Sequence, residues 1–183
     1  MGLAILASGT GTILEAILER HLPIAVVLSD RPCRALEVAA AAGVPTELVK
    51  RTDFSRSFDR EGHTAEVVAT LERHGVDVVA MAGYMTIFSP SMFEAFPDRV
   101  LNTHPSLLPA FPGAHAVRDA LAAGVATTGC TVHLATAEVD AGPILAQEAV
   151  PVREDDTEDS LHERIKAVER LLYPATIEEF LRR

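Results

Sequence analysis

"LAILASGTGTILEAIL", residues 3–18, decides the fold class. Leu3-Ala4-Ile5-Leu6 is apolar at every position. A strand with one wet face alternates apolar and polar residues, whereas a strand covered on both faces does not. Ser8-Gly9-Thr10-Gly11-Thr12 then supplies turn residues, and Ile13, Leu14, Ile17 and Leu18 share one face of a helix predicted from Thr12 to Arg20. A buried strand, a glycine turn and an amphipathic helix in that order form the first unit of a parallel sheet covered by helices.

The pattern repeats downstream. Ile24 to Leu28 is a strand that ends at Ser29-Asp30-Arg31-Pro32, and Leu36 to Ala42 is a helix closed by Gly43. Thr46 to Val49 is a weak strand, and Ser57 to His74 is a long helix followed by Gly75. Asp77 to Met81 and the short run Val100 to Asn102 complete the series. The rhythm predicts an α/β fold with a doubly wound, mostly parallel twisted sheet. Gly129 to Leu134 and Ile144 to Ala149, joined by the turn Glu138 to Pro143, predict an antiparallel C-terminal extension. A last helix begins near Glu158, with Leu161, Ile165, Val168 and Leu172 in one stripe. No repeat or linker interrupts the chain, so a single domain over residues 1–183 is expected.

Bulk properties narrow the function. Sixteen basic against 26 acidic residues give a formal charge of −10, which argues against a nucleic-acid-coating surface. The two cysteines, Cys33 and Cys130, form neither a metal pattern nor a disulfide framework, and a reducing cytoplasm is the expectation. The apolar run in MGLAILASG is too short for a signal peptide or a membrane span.

Ser8 to Thr12 sits where a strand meets a helix. Glycines there let backbone N–H groups approach an anion, and the helix start adds partial positive charge. The Gly-Lys-Ser/Thr of a nucleotide P-loop is absent, and Leu14 stands where a dinucleotide fingerprint needs its third glycine. A phosphate monoester therefore fits better than a nucleoside triphosphate or a dinucleotide. The second landmark is "LNTHPSLLPAFPGAH", residues 101–115. Pro105, Pro109 and Pro112 remove donors and fix φ, so a loop held in one shape follows the strand that presents Asn102 and His104. Asparagine offers a neutral N–H₂ donor for an oxyanion, and histidine exchanges protons near neutral pH. Asp140, in its turn with Gly142 and Pro143, becomes chemical only if it reaches His104. His115 and His133 are further candidates, His133 being read as a packed strand residue. No His/Cys/Asp/Glu spacing suits zinc, so no metal is expected.

"ILASGTGTILEAIL", "MAGYMTIFSP", "LNTHPSLLPAFPG" and "GCTVHLATAEVDAGPILAQEAVPV" together resemble the folate-dependent formyltransferases, from about Leu3 to Phe180. The glycine loop at the N-terminus, with no added domain, places the resemblance in the branch that acts on glycinamide ribonucleotide in purine synthesis. The resemblance implies a Rossmann-like formyltransferase domain and 10-formyltetrahydrofolate as co-substrate. It implies a cytoplasmic monomer or homodimer with small-molecule partners, without nucleic acid, membrane or metal. It implies Asn102, His104 and Asp140 as the catalytic set, with Thr131 holding a water of the proton relay. Gly11, Thr12 and Ile13 would bind the substrate phosphate, and Glu169 with Lys166 its ribose. Arg60, Met85, Thr86, Ile87, Phe88 and Asn102 would line the folate site. Ile13 and Thr86 depart from the family pattern, where asparagine and arginine are common. Related activities are formyl transfer to an aminosugar nucleotide or to methionyl-tRNA, and formyltetrahydrofolate hydrolysis. The tRNA enzyme carries an extra C-terminal domain and a basic face, and the hydrolase an added N-terminal domain. A phosphoribosyl- or folate-binding protein without catalysis is the non-enzymatic alternative.

Overall fold

A computed structural model describes all 183 residues, Met1–Arg183. The strands are β1 (Gly2–Leu6), β2 (Ile24–Ser29), β3 (Thr46–Leu48), β4 (Val76–Met81), β5 (Val100–His104), β6 (Thr127–Leu134) and β7 (Ile144–Pro151). The helices are α1 (Thr12–Leu18), α2 (Arg34–Ala41), α3 (Arg60–Arg73), α4 (Pro90–Ala95), α5 (Ala116–Ala122) and α6 (Glu158–Leu181). The seven strands follow the order β3-β2-β1-β4-β5-β6-β7. The chain packs as two compact units, Met1–Leu101 and Asn102–Arg183.

In the first unit β1 pairs in parallel with both β2 and β4, and β2 with β3. Leu3 to Leu6, Val26 to Leu28 and Val78 to Ala80 are wholly buried, as all-apolar strands between helical layers must be. Helix α1 covers them with Ile13, Leu14 and Ile17, and α3 with Val67 and Leu71. Helix α3 starts at Arg60 rather than Ser57, because the Asp59 carboxylate caps it by accepting from the Gly62 N–H at 2.9 Å.

In the second unit β6 and β7 run antiparallel from Thr127↔Pro151 to His133↔Ile144. Both are longer than expected. Leu161 and Ile165 of α6 pack with Val117, Cys130 and Val150 as its apolar core. The capping box of Thr157 and Ser160 opens α6 at Glu158, where the sequence places it. Two short helices, α4 and α5, were not expected from the periodicity. Strand β5 runs through His104 rather than stopping at Asn102, so His104 is a strand residue and is buried rather than exposed. No helix is long and apolar enough to cross a membrane.

Candidate active site

The second unit gathers its polar residues where β5 ends. Asn102 and His104, two positions apart on one strand, point to the same face. The next residue, Pro105, begins the rigid loop. Two side chains, one from β6 and one from β7, hold that loop through three hydrogen bonds. The Thr131 hydroxyl donates to the Ser106 carbonyl at 2.6 Å and accepts from the Leu108 N–H at 3.0 Å. The Gln147 amide donates to the Leu108 carbonyl at 2.8 Å and to the Thr131 hydroxyl at 2.9 Å. The proline segment cannot supply its own ladder, and β6 and β7 supply the partners instead. Thr131 is thereby fully committed: its one hydrogen and both lone pairs are used. The expected water in a Thr131 relay has no place on this hydroxyl.

The loop returns over the imidazole. His104 Nε2 lies 2.8 Å from the Phe111 carbonyl, which accepts only, so Nε2 carries a hydrogen. Nδ1 of the same ring lies 3.4 Å from Asp140 Oδ2. Asp140 is brought there by a turn in which it adopts φ 56°, a conformation that aspartate tolerates. The Gly113 N–H donates to the same oxygen at 2.8 Å, which ties the two loops together. A side chain on Gly142 would run into the Leu134 carbonyl, so the turn closes only with glycine there. The side chains of His104 and Asp140 are each 7% exposed.

His133 completes the network, and its part in it was missed. Its Nδ1 donates to its neighbour's carbonyl, Leu134 O, at 3.0 Å. Burial pushes its pKa down, only partly offset by that bond and by Asp140. A neutral ring with hydrogen on Nδ1 leaves a lone pair on Nε2, which stands 3.2 Å from Asn102 Nδ2 and 3.7 Å from Asp140 Oδ1. The Asn102 amide is thus turned with its N–H₂ toward His133, and its second hydrogen is left free. The signal for this role was present in the alternation of β6. Thr131 and His133 share one face of the strand, and both serve the loop and the network. His115 is exposed at the start of α5, outside the network.

Glu169 and Lys166 lie on α6. Burial pushes the Glu169 carboxyl up, against the nearby Thr103 hydroxyl and the charges of Lys166 and Arg170, which pull it down. The Lys166 ammonium binds Glu163 at 2.8 Å.

In the first unit the glycine turn and the segment after β4 meet at the carboxyl ends of paired parallel strands. The Met85 N–H donates to the Ser8 hydroxyl at 3.1 Å, and the Ser8 N–H to the Gly83 carbonyl at 3.1 Å. Gly11 caps α1 at φ 79° with no side-chain cap on the first turn. A Cβ there would stand 3.0 Å from Ala35 Cα, so the position demands glycine twice over. Ile13 turns its side chain into the core, leaving its backbone N–H as what it offers. Residues 85–88 alternate: Met85 and Ile87 are 64% and 51% exposed, while Thr86 and Phe88 are 3% and 5% exposed. The Thr86 hydroxyl donates to the buried Asp30 carboxylate at 2.7 Å, and Phe88 stacks on Tyr84 with ring centres 5.2 Å apart. Arg60 is exposed at the start of α3.

The formyl transferase family model matches residues 1–177. The chain belongs to the formyl transferase family. It is 48% identical over 180 residues to the phosphoribosylglycinamide formyltransferase of Mycobacterium tuberculosis, a match covering 96% of this chain and 82% of the relative. The crystal structure of glycinamide ribonucleotide transformylase 1 from Symbiobacterium toebii superposes with a TM-score of 0.88 at 46% identity, over 97% of this chain and 85% of that one. The phosphoribosylglycinamide formyltransferase structure from Bacillus halodurans gives 0.89 at 40% identity, over 99% and 95% of the respective chains. The family membership accords with the fold expected from the sequence, a mostly parallel sheet with an antiparallel end.

Proposed function

We propose that this formyl transferase moves the formyl group of 10-formyltetrahydrofolate to the primary amine of glycinamide ribonucleotide, as a single cytoplasmic catalytic domain in purine synthesis. The observation that carries the proposal is the buried network of Asn102, His133, Asp140 and His104 at the end of β5. The amine attacks the formyl carbon, a C–N bond forms, and the carbonyl oxygen becomes an oxyanion. The free hydrogen of the Asn102 amide donates to that oxygen. The Phe111 carbonyl keeps His104 Nε2–H ready as a donor, and the oxyanion, a stronger acceptor, takes over that hydrogen bond. Donors of this kind contribute about 10²–10³ in rate each. The amine must lose a proton and N10 of the folate must gain one as the C–N10 bond breaks. The His104–Asp140 pair stores and returns that proton, and no covalent intermediate with the protein is needed.

The backbone N–H groups of Gly11, Thr12 and Ile13 bind the ribonucleotide phosphate, and Glu169, with Lys166 beside it, the ribose. Arg60, Met85, Thr86, Ile87, Phe88 and Asn102 form the folate site. Within it the exposed side chains of Met85 and Ile87 suit a flat pterin, while Thr86 and Phe88 offer main chain. The test is formyl transfer by the purified protein, with glycinamide ribonucleotide, an aminosugar nucleotide and water alone compared side by side. Formylated glycinamide ribonucleotide should dominate. Faster formylation of the aminosugar, or formate release unaffected by either amine, would overturn the assignment.

A further inference from the structure

The glycine turn leans on the start of α2. The Ala35 N–H donates to the Gly9 carbonyl at 3.2 Å, and the Arg34 guanidinium donates through Nη1 to the Thr10 carbonyl at 2.6 Å. Its Nη2 binds Glu15 Oε1 of α1, also at 2.6 Å. Arg34 thus spans the turn and the helix that follows it. A trans peptide is planar, with its C=O and N–H pointing opposite ways. Holding the Thr10 carbonyl toward Arg34 therefore sends the Gly11 N–H away from it, and holding the Gly9 carbonyl toward Ala35 sends the Thr10 N–H away from α2. The N–H groups of Gly11, Thr12 and Ile13 have no acceptor within the protein. Glycine at position 11 is permissive and does not by itself choose between the two orientations of the peptide that precedes it. Flipped, that peptide would aim a carbonyl oxygen where it now aims an N–H. The Arg34 contact makes the choice.

We propose that Arg34 is a positioning residue for the ribonucleotide phosphate: by holding the Thr10 carbonyl, it keeps the Gly11 N–H aimed at the phosphate oxygens. The proposal rests on the assignment of the phosphate to Gly11, Thr12 and Ile13. Arg34 touches the far side of the peptide, so its charge reaches the anion through the amide rather than by contact. A cation on the carbonyl polarises the amide and makes its N–H a stronger donor. The pairing with Glu15 serves the same end. That carboxylate lies in the first turn of α1, where its charge would otherwise repel the phosphate. Arg34 is half-exposed, so the ion pair adds little to stability; what the contact supplies is orientation. The planar fork of arginine suits the task, because it binds two acceptors at once.

Arg34→Met keeps the stem and removes the donors. The KM for glycinamide ribonucleotide should rise about five- to tenfold, as for the loss of a charged hydrogen bond partly screened by solvent. The kcat and the KM for 10-formyltetrahydrofolate should stay within about twofold of the parent values. Arg34→Lys, which keeps one long donor, should recover most of the loss, and a lysine variant no better than methionine would overturn the proposal. Arg34→Gln, too short to reach the Thr10 carbonyl, repeats the test if the methionine variant does not fold. Adding Glu15→Gln to Arg34→Met separates orientation from charge: the double variant should keep the raised KM, and recovery of the parent value would overturn the role of the Thr10 contact. Inorganic phosphate titrated into isotope-labelled protein gives a readout apart from turnover. In the parent it should shift the amide resonances of Gly11, Thr12 and Ile13 in NMR spectra. Arg34→Met should need about five to ten times as much phosphate for the same shift. If those amides respond with unchanged phosphate affinity in Arg34→Met, the role of Arg34 is overturned. If phosphate moves none of them in the parent, the phosphate assignment itself fails.

Discussion

Replacing Asp140 by asparagine removes a negative charge and almost no volume. The carboxylate stands 3.4 Å from His104 Nδ1, and both side chains are about nine-tenths buried. At an effective dielectric constant near 20, a unit charge pair at that distance is worth about 5 kcal/mol. Relaxation and residual water reduce this, so about 3–5 kcal/mol is the range to expect, or roughly 10²–10⁴ in rate. The asparagine carbonyl can still accept the Gly113 N–H, so the turn should keep its shape. The same carbonyl then lies beside Nδ1, and the N–H₂ takes the place of Oδ1 beside His133 Nε2. What is lost is the negative charge that balances a second proton on the ring on its way to N10. The assay is steady-state formyl transfer at saturating concentrations of both substrates, with thermal melting as a control on folding. The kcat of Asp140→Asn should fall by about 10²–10⁴ with both KM values within about threefold of the parent. A kcat within about threefold of the parent in a folded variant would refute the pairing and leave Asp140 as a turn residue.

Other outcomes follow from the same geometry. Phe88→Ala removes a 5%-exposed ring stacked on Tyr84 and should destabilise the protein by about 3–5 kcal/mol in denaturant melts. Ile87→Asp, at a position 51% exposed, should leave the melting temperature nearly unchanged and weaken formylfolate binding in calorimetry; equal loss of ribonucleotide binding would speak against a folate-specific wall. Burial holds the pKa of His133, His63 and His162 below the ordinary 6.5, so the folded state disfavours their protons. The stability they permit is complete above pH 6.5 and is lost as the pH falls below it toward their folded values. The melting temperature should drop from pH 7 to pH 5, and His133→Phe should flatten part of that slope; a parallel slope would exclude His133 as a contributor. Gly142→Ala puts a methyl group against the Leu134 carbonyl and should lower kcat by displacing Asp140, visible as loss of activity in a protein that still melts cooperatively.

The parallel half of the sheet was legible because its strands carry no alternation. Leu3 to Leu6 and Val78 to Ala80 have no polar face to mislead, and Gly43 and Gly75 mark the ends of helices. Helices α4 and α5 were not seen, since six or seven residues give no full period of apolar positions. Even so, Pro90 at the first turn of α4 after Ser89 was a start signal in plain view. The extension of β5 to His104 was missed for a different reason. Asparagine and histidine are poor strand formers, and here the pairing of the strand overrides their preference. Periodicity correctly packed His133 inside β6 but carries no information on what it packs against. The Asn102 amide it orients comes from β5, and alternation says which face a residue takes, not who waits there.

Glu169 shows what a sequence can still betray at such a place. In α6 the positions Leu161, Ile165 and Tyr173 form one buried row, and Glu169 stands in it. An unpartnered carboxylate in an apolar row costs several kcal/mol, more than helix propensity or solubility returns. Glu169 itself is half-buried, and Lys166 and Arg170 of its own helix favour its charge. Thr103 reads as an ordinary β-branched strand residue, and Cys130 as a buried thiol among apolar neighbours. The fold joins those two: Thr103 Oγ1 lies 3.3 Å from Cys130 Sγ of β6, on the face of β5 away from Asn102 and His104. A charge that breaks an apolar stripe is a local sign of a role that packing alone does not explain, and in this chain it stands at the residue assigned to the sugar.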